Sequence, residues 1–352
     1  MKLLVRATNW LGDAVMSIPA LREIRRAYAG WEIVILARPW VADLYGREDF
    51  CDRLLPYENN GRHAGWRGKF RLAAELRAER FDTAILLQNA FDAALLVWMA
   101  RIPNRIGYAR DGRGLLLTKA LAVPARGEIP VHERYYYLEL LRRAGIISNL
   151  PVCDEIRLGA APQAAAEGQQ YWRRQGVSAA RWIGVSPGAA YGSAKRWFPE
   201  RFAETASALA ERLDADVAVF GSAGEAELCA QVARQIGARA HDVAGRTTLA
   251  EFIQLAAACT VFLTNDSGAM HVAAALGIPT VAVFGATNDE TTGPSASWAR
   301  VVRRHVECSP CLLRECPIDH RCMTAVEVSR VVEEAYALLR DNGVEVPNPV
   351  NA

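Results

Sequence analysis

A chain of 352 residues, 51% hydrophobic and 23% charged, has the length of two domains and the composition of an ordinary globular protein. No stretch of about 18 apolar residues occurs, which excludes a membrane-spanning helix, and the N-terminus enters a strand pattern without a signal-peptide cleavage pattern, so the expected location is the cytoplasm. The net charge of +2 hides an asymmetry: residues 1–150 carry 23 Lys/Arg against 16 Asp/Glu, residues 151–352 carry 18 against 23, and the basic half suits an acidic partner such as nucleic acid, a phosphorylated substrate or an anionic membrane face.

Residues 2–7 read as a strand and 8–13 as a turn. Val15, Ile18, Leu21 and Ile24 recur at helical spacing and predict a helix over 14–28, in which Pro19 demands a kink or a late start. A strand over 32–37, a short one at 54–55 and a basic loop over 59–71 follow. The first half then reads as helix 70–80, strand 83–87, helix 91–99, strand 105–108, an irregular basic stretch over 109–130 and helix 132–144. Turn residues and an Ala/Pro-rich stretch mark a boundary between 145 and 165. Beyond it, strands at 182–186, 216–220, 261–263 and 279–284 alternate with helices at 199–213, 225–236, 249–258 and 268–276. A last helix over 325–339 is long enough to cross back onto the first domain. Such alternation predicts an α/β fold of two Rossmann-like, doubly wound domains facing a cleft, with ligands at the carboxyl ends of strands. The expected division is an acceptor-binding domain over 1–155, a nucleotide-sugar-binding domain over 156–325 and a C-terminal helix and tail over 326–352.

Three polar turns of the second half follow predicted strands and so line one sheet edge. Residues 186–197, SPGAAYGSAKRW, offer small residues such as Gly188 around which backbone wraps an anion, with Lys195 and Arg196 as charge; the Gly-Lys-Ser/Thr element of a P-loop is missing. Residues 220–225 place Glu225 just beyond a strand, where a carboxylate accepts ribose hydroxyls. In residues 261–271, VFLTNDSGAMH, an apolar strand stops at a polar turn and a helix begins, whose N-terminal N–H groups and dipole suit a phosphate. The three together describe a nucleotide diphosphate site. Read alone, the last turn is equally explained by Asp266 and Ser267 capping the helix and His271 packing against it. In the first half, Asp13 opens the first helix at the end of the first strand, placed to take a proton from an attacking hydroxyl. The commoner role of such a residue is to complement the helix dipole.

Five segments, NWLGDAVMS (9–17), LLQNAFDAAL (86–95), RIPNRIGY (101–108), SPGAAYGSAKRW (186–197) and TNDSGAMHVAAALGIPTVAVFG (264–285), resemble the ADP-heptose–lipopolysaccharide heptosyltransferases, over nearly the whole chain. The resemblance implies the GT-B arrangement of two Rossmann-like domains. It also implies inverting transfer of L-glycero-D-manno-heptose from ADP-heptose to the heptose-primed inner core of lipopolysaccharide, with no cofactor or catalytic metal required. By that resemblance Asp13 matches the catalytic base and Lys195 the phosphate-binding lysine. Asp266, Ser267, Gly268 and His271 match the stretch that holds diphosphate and sugar. Glu225 matches the ribose-binding acid, with Glu227 as its rival, and Thr247 lies against adenine. Ala190 and Tyr191 stand where some members carry threonines. The acceptor, an anionic lipid A–core oligosaccharide at the inner membrane face, gives the basic half a purpose and suggests peripheral attachment there. Arg62, Arg67, Arg105, Arg110 and Arg113 are candidate contacts, although a single surface arginine is ordinarily just solvated.

Three further readings stay open: a related transferase with another nucleotide sugar or acceptor, a non-catalytic nucleotide-binding protein, and a nucleic-acid binder. The last lacks interleaved aromatics and any nucleic-acid motif, so no nucleic acid is expected as partner. Four cysteines, Cys51, Cys153, Cys229 and Cys259, fall in or beside apolar sequence as reduced core residues. The other four, Cys308, Cys311, Cys316 and Cys322, with His320 nearby, have the spacing of a small zinc knuckle; structural zinc, free packed thiols and disulfides are the alternatives.

Overall fold

The computed structural model describes residues 1–347. The chain divides into two compact units, Met1–Cys153 and the stretch from Asp154 onward, each built on its own sheet. The end of the expected tail, residues 348–352, lies outside the described residues.

The first unit carries six parallel strands: β1 (Lys2–Arg6), β2 (Glu32–Ala37), β3 (Arg53–Pro56), β4 (Thr83–Leu86), β5 (Asn104–Tyr108) and β6 (Lys119–Leu121). They lie in the order β3-β2-β1-β4-β5-β6. Leu3, Leu4 and Val5 of β1 and Ile33, Val34, Ile35 and Leu36 of β2 are fully buried. Crossover helices cover both faces of such a sheet, so its strands read as unbroken apolar runs. The helices are α1 (Leu11–Met16), α2 (Ile18–Ala27), α3 (Pro39–Tyr45), α4 (Gly65–Ala78), α5 (Phe91–Met99) and α6 (Glu133–Arg143).

The helix expected over 14–28 is in fact two. Ser17 separates α1 from α2, its Oγ donating to the Ala14 carbonyl at 2.9 Å. Pro19 then falls in the first turn of α2, where a missing N–H breaks no helical bond. The break leaves Asp13 on a short helix of its own. Helix α4 begins at Gly65, inside the stretch read as a basic loop, and β6 lies inside the stretch read as irregular. The three residues of β6 are too few and too exposed to show a period.

The second unit repeats the plan with β7 (Trp182–Ser186), β8 (Asp216–Val219), β9 (Ala240–Asp242), β10 (Val261–Asn265), β11 (Thr280–Phe284) and β12 (Ala299–Arg303), ordered β12-β11-β10-β7-β8-β9 and all parallel. Its helices are α7 (Ala161–Arg174), α8 (Pro199–Leu213), α9 (Ala226–Ile236), α10 (Leu249–Ala257), α11 (Gly268–Ala275), α12 (Asp289–Thr292), α13 (Arg321–Thr324) and α14 (Val328–Asp341). Strands β9 and β12 are edge strands with half-buried polar residues, which is why the apolar pattern missed them. Helix α14 packs on α8, β11 and β12 of this unit, through Val331, Ala335, Leu338 and Leu339.

Counted within each unit, the two strand orders are the same: the third, second, first, fourth, fifth and sixth strands in sequence. Chain direction along the sheet therefore reverses between β1 and β4 in one unit and between β7 and β10 in the other. Connections leave in opposite directions at that point and open a crevice beyond the strand ends. Among the described residues no helix is long and apolar enough to cross a membrane.

Candidate active site

The loops that leave β7 and β10 meet at the reversal point of the second sheet. Asn265, fully buried at the end of β10, fastens them together: its Oδ1 accepts from the Trp197 N–H at 2.9 Å and its Nδ2 donates to the Pro187 carbonyl at 2.7 Å. The next residue, Asp266, is 5% exposed, and its Oδ2 takes the Lys195 ammonium at 2.5 Å and the Thr287 hydroxyl beyond β11. The Lys195 ammonium also lies 4.8 Å from the Tyr191 ring centre. Three loops thus converge on one carboxylate and one lysine.

This arrangement bears on the capping half of the second reading of the turn. Asp266 does not cap α11; its carboxylate goes to Lys195 and Thr287. Ser267 holds the N-cap position in extended conformation without a side-chain cap bond, its Oγ lying 3.2 Å from Thr264 Oγ1. The helix therefore presents its first N–H groups, from Gly268 onward, without a side-chain cap. His271 is buried one turn into α11.

Gly188 and Glu225, singled out separately in the sequence, are neighbours. A Cβ at 188 would stand 2.1 Å from Glu225 Oε1, so a larger residue there would push the Glu225 carboxylate aside. The other oxygen of Glu225 accepts from the Ser222 N–H and hydroxyl in a capping box. Glu227 is 90% exposed on its side chain and pairs with Arg234. Thr247 is half-buried just before Thr248, which caps α10. Thr287 and Asn265 escaped the sequence reading, because neither Thr nor Asn stands out among polar loop residues.

The cysteine-bearing stretch braces the lysine loop. The Ala194 N–H donates to the Arg314 carbonyl at 2.9 Å and the Tyr191 hydroxyl to the Leu312 carbonyl at 2.8 Å, while His320 Nε2 lies 3.0 Å from the Ala194 carbonyl. A Cβ at Gly192 would meet the Arg314 carbonyl oxygen at 2.2 Å. Burial raises the Cys322 thiol, and Cys308, Cys311 and Cys316 are near enough to add to the shift. All eight cysteines are free, so none of the four is in a disulfide. Among the described residues, no three His, Cys, Asp or Glu side chains are gathered as a metal shell.

At the edge of the first sheet, Asp13 sits half-buried in the first turn of α1. Helix α1 packs on α6, whose first residue is Glu133. Burial raises the Glu133 carboxyl, the Asp13 carboxylate adds to the rise, and Arg110 opposes it. Glu133 was not picked out from the sequence, since a Glu opening a helix is ordinary dipole chemistry. The arginines separate clearly. Arg113 is fully buried, donating to the Tyr108 and Gln88 carbonyls and to Asn89 Oδ1; burial lowers it to about 10, so it stays charged at neutral pH. Arg105 bonds the Leu116 and Ile102 carbonyls near the amino end of β5. Arg110, just beyond the carboxyl end of β5, is exposed beside Asp111 and Tyr136; Arg62 is exposed and paired with Glu75. Arg67 is exposed on α4.

The pattern of glycosyltransferase family 9 (heptosyltransferase) matches residues 69–321. The chain belongs to this family. It is 31% identical to lipopolysaccharide heptosyltransferase 2 of Salmonella typhimurium, over 98% of this chain and 100% of the relative, and 32% identical to that of Escherichia coli, over 96% and 99%. The solved structure of E. coli ADP-heptose lps heptosyltransferase II superposes with a TM-score of 0.78 at 30% identity, covering 98% of this chain and 100% of that one. The α/β fold with two Rossmann-like sheets is therefore the family's GT-B architecture, and this family-9 chain is a glycosyltransferase.

Proposed function

We propose that this glycosyltransferase moves L-glycero-D-manno-heptose from ADP-heptose to the heptose-primed inner core of lipopolysaccharide, with inversion and without a catalytic metal. The observation that carries the reading is Lys195, held by Asp266 and Thr287 beside the uncapped N-terminus of α11, in a chain of the heptosyltransferase family. A solved family-9 relative is described as an ADP-heptose enzyme. The acceptor hydroxyl attacks the anomeric carbon, the bond from that carbon to the diphosphate breaks, and the bonding pair leaves with ADP. The hydroxyl proton passes to the Asp13 carboxylate. Lys195 and the α11 N–H groups meet the charge that grows on the departing oxygen, the preorganised electrostatics that usually dominate catalysis. Ser267, Gly268 and His271 line the diphosphate and sugar. Glu225 takes the ribose; its place against Gly188 favours it over the outward Glu227. Thr247 lies toward adenine.

Arg62 and Arg110 are the acceptor contacts in this reading, and Arg105 and Arg113 hold backbone. The acceptor is the lipid A–core oligosaccharide, and the protein works in the cytoplasm, peripheral to the inner membrane. Support for attachment comes from α4 and α5, where Trp66, Phe70 and Trp98 are at least half exposed among Arg67, Arg71, Arg77 and Arg101. The cysteine stretch acts as a brace of packed thiols; zinc near one equivalent in protein purified without added metal would replace that by a structural zinc site.

The test is ADP release from ADP-heptose with heptose-primed acceptor, for wild type and Asp13→Ala. Acceptor-dependent release lost in the variant supports donor and base together. Full activity in the variant returns Asp13 to dipole chemistry, and no release by wild type overturns the choice of substrates.

A further inference from the structure

The reversal point of the first sheet holds a second charged site. Arg6 ends β1 and is 2% exposed, and Arg38 follows β2. Their guanidinium carbons lie 5.3 and 4.6 Å from the ring centre of Tyr57, which is buried. Arg6 donates to the Ala7 and Leu36 carbonyls and to Asn9 Oδ1, but its Nε has no partner. Arg38 has none at Nε or Nη1, both buried. Both arginines line a recess of about 30 Å³, with Asn9, Gln88 and Asp92 among its walls.

Buried donors left unpaired are costly, and the cost is larger for a charged group. One carboxylate is present, but it is already engaged: Asp92 accepts from the Tyr57 hydroxyl at 3.3 Å and from Lys69 at 2.5 Å. Arg6, Arg38 and Lys69 against Asp92 leave the recess with an excess of two positive charges. Burial and the neighbouring Arg38 lower Arg6 to about 10, so it is still protonated at neutral pH. The volume is that of a few water-sized groups, enough for the oxygens of one anionic substituent and not for a sugar ring. The ring has a platform at the rim: Trp40, 44% exposed, stands 6.0 Å from Arg38 and is fixed by its Nε1–H to the Asn9 carbonyl at 2.9 Å. Asn9 belongs to the same β1–α1 connection that leads to Asp13.

We propose that this recess binds an oxyanion substituent of the acceptor saccharide, a carboxylate or a phosphate, through Arg6 and Arg38, with the sugar that carries it stacked on Trp40. The assignment rests on the reading of the acceptor as an anionic core saccharide. The oxyanion accepts from the guanidinium groups of Arg38 and Arg6 that line the recess, and the planar guanidinium fork suits either group. It fixes the acceptor, while the reacting hydroxyl goes to Asp13.

The test varies acceptor concentration in the ADP-release assay for wild type, Arg38→Gln and Arg38→Lys. The Arg38 side chain meets the fold through the Tyr57 and Trp40 rings and leaves Nε and Nη1 unpartnered, so each variant's melting temperature is read beside its kinetics, and the acceptor KM is compared only among folded proteins. Arg38→Gln raises the acceptor KM about tenfold to a hundredfold, the scale of one charge-assisted contact, and leaves the donor KM unchanged; Arg38→Lys recovers part of the loss. Phosphatase-treated and carboxyl-esterified acceptors separate the two sources. The treatment that reproduces the Arg38→Gln defect in wild type, and adds nothing in Arg38→Gln, names the group. An unchanged acceptor KM in Arg38→Gln overturns the assignment, as does a treatment penalty equal in both proteins. Wild type that turns over no heptose-primed acceptor is a failure of the proposed function instead. In that case thermal stabilisation by inorganic phosphate decides: stabilisation lost in Arg38→Gln supports an oxyanion site, and none in wild type refutes it.

Discussion

The two sheets share one strand order but treat the central charges at their carboxyl edges differently. In the second unit the central lysine and carboxylate at the reversal point are paired within the protein, Lys195 with Asp266, Asp266 also with Thr287, and the loops tied by Asn265, while the flanking Arg196 keeps a buried Nε without a partner. In the first, Arg6 and Arg38 keep buried donors without partners. A lysine held by a carboxylate is preorganised, its position set before the donor arrives, and a diphosphate has to compete for it. An unpaired guanidinium pair waits for its counter-ion from outside. The contrast suits a donor whose leaving group must be met at a fixed point and an acceptor that varies in its decoration.

The sharpest way to break this comparison is to separate the two roles of Lys195. As the cation facing the leaving diphosphate, its loss lowers kcat by about 10²–10³, the scale of one preorganised donor. As partner of buried Asp266, its loss also destabilises the fold by about 3 kcal/mol, since a buried carboxylate loses its counter-ion. Lys195→Met paired with Asp266→Asn then recovers stability in urea unfolding but not turnover. Recovery of both would make the pair a purely structural one.

Arg113 sharpens the same comparison within the first unit. Unlike Arg38, it uses its guanidinium on two carbonyls and Asn89; Arg6 does so in part, with its Nε left over. Arg113→Gln is expected to cost about 3 kcal/mol in urea unfolding, and Arg62→Gln, an exposed pair with Glu75, less than about 1 kcal/mol. If Arg113→Gln keeps wild-type stability and loses acceptor affinity, the division of the arginines into structural and ligand-facing fails.

Gly192→Ala tests whether the cysteine stretch positions the lysine loop. Its Cβ would meet the Arg314 carbonyl oxygen at 2.2 Å, and backbone cannot yield as a side-chain tip can. A loss of about 1–2 kcal/mol in thermal unfolding is expected, with a raised donor KM as Lys195 shifts. A raised KM without lost stability would place the whole effect in the loop.

Sequence alone carried the strands of both sheet centres, because buried parallel strands leave apolar runs that polar loops interrupt. It placed Asp13, Lys195 and Asp266 in loops and turns that follow strands, and the structure has them there because parallel strands end where loops turn into helices. It could not carry the edge strands β6, β9 and β12, whose short, half-wet patterns have no period. Nor could it rank the arginines: Arg113 and Arg110 stand three residues apart, and only the fold shows that one is sealed against carbonyls and the other exposed. Arg6 shows the same limit. It sits in an apolar strand where a charge looks like an edge residue, while topology makes β1 central.

The smallest expected effect comes from Glu133, and its sign is informative. Its folded pKa is raised from the ordinary 4.5, first by burial and then by Asp13, with Arg110 opposing. A carboxyl with a raised folded value binds more protons when folded than when unfolded between the two values. Stability therefore falls as pH rises through that window, and the full penalty is present above it. Glu133→Gln removes the charge and keeps the shape. It should be more stable than wild type at pH 7.5, with the gap closing as pH approaches 4, read as urea midpoints along a pH series. A gap that stays constant with pH would mean that Glu133 is not held near Asp13 as a buried second carboxylate. A gap of opposite sign would mean that Arg110 outweighs both burial and Asp13, so that this edge of the first sheet holds its carboxylate as the second holds Asp266.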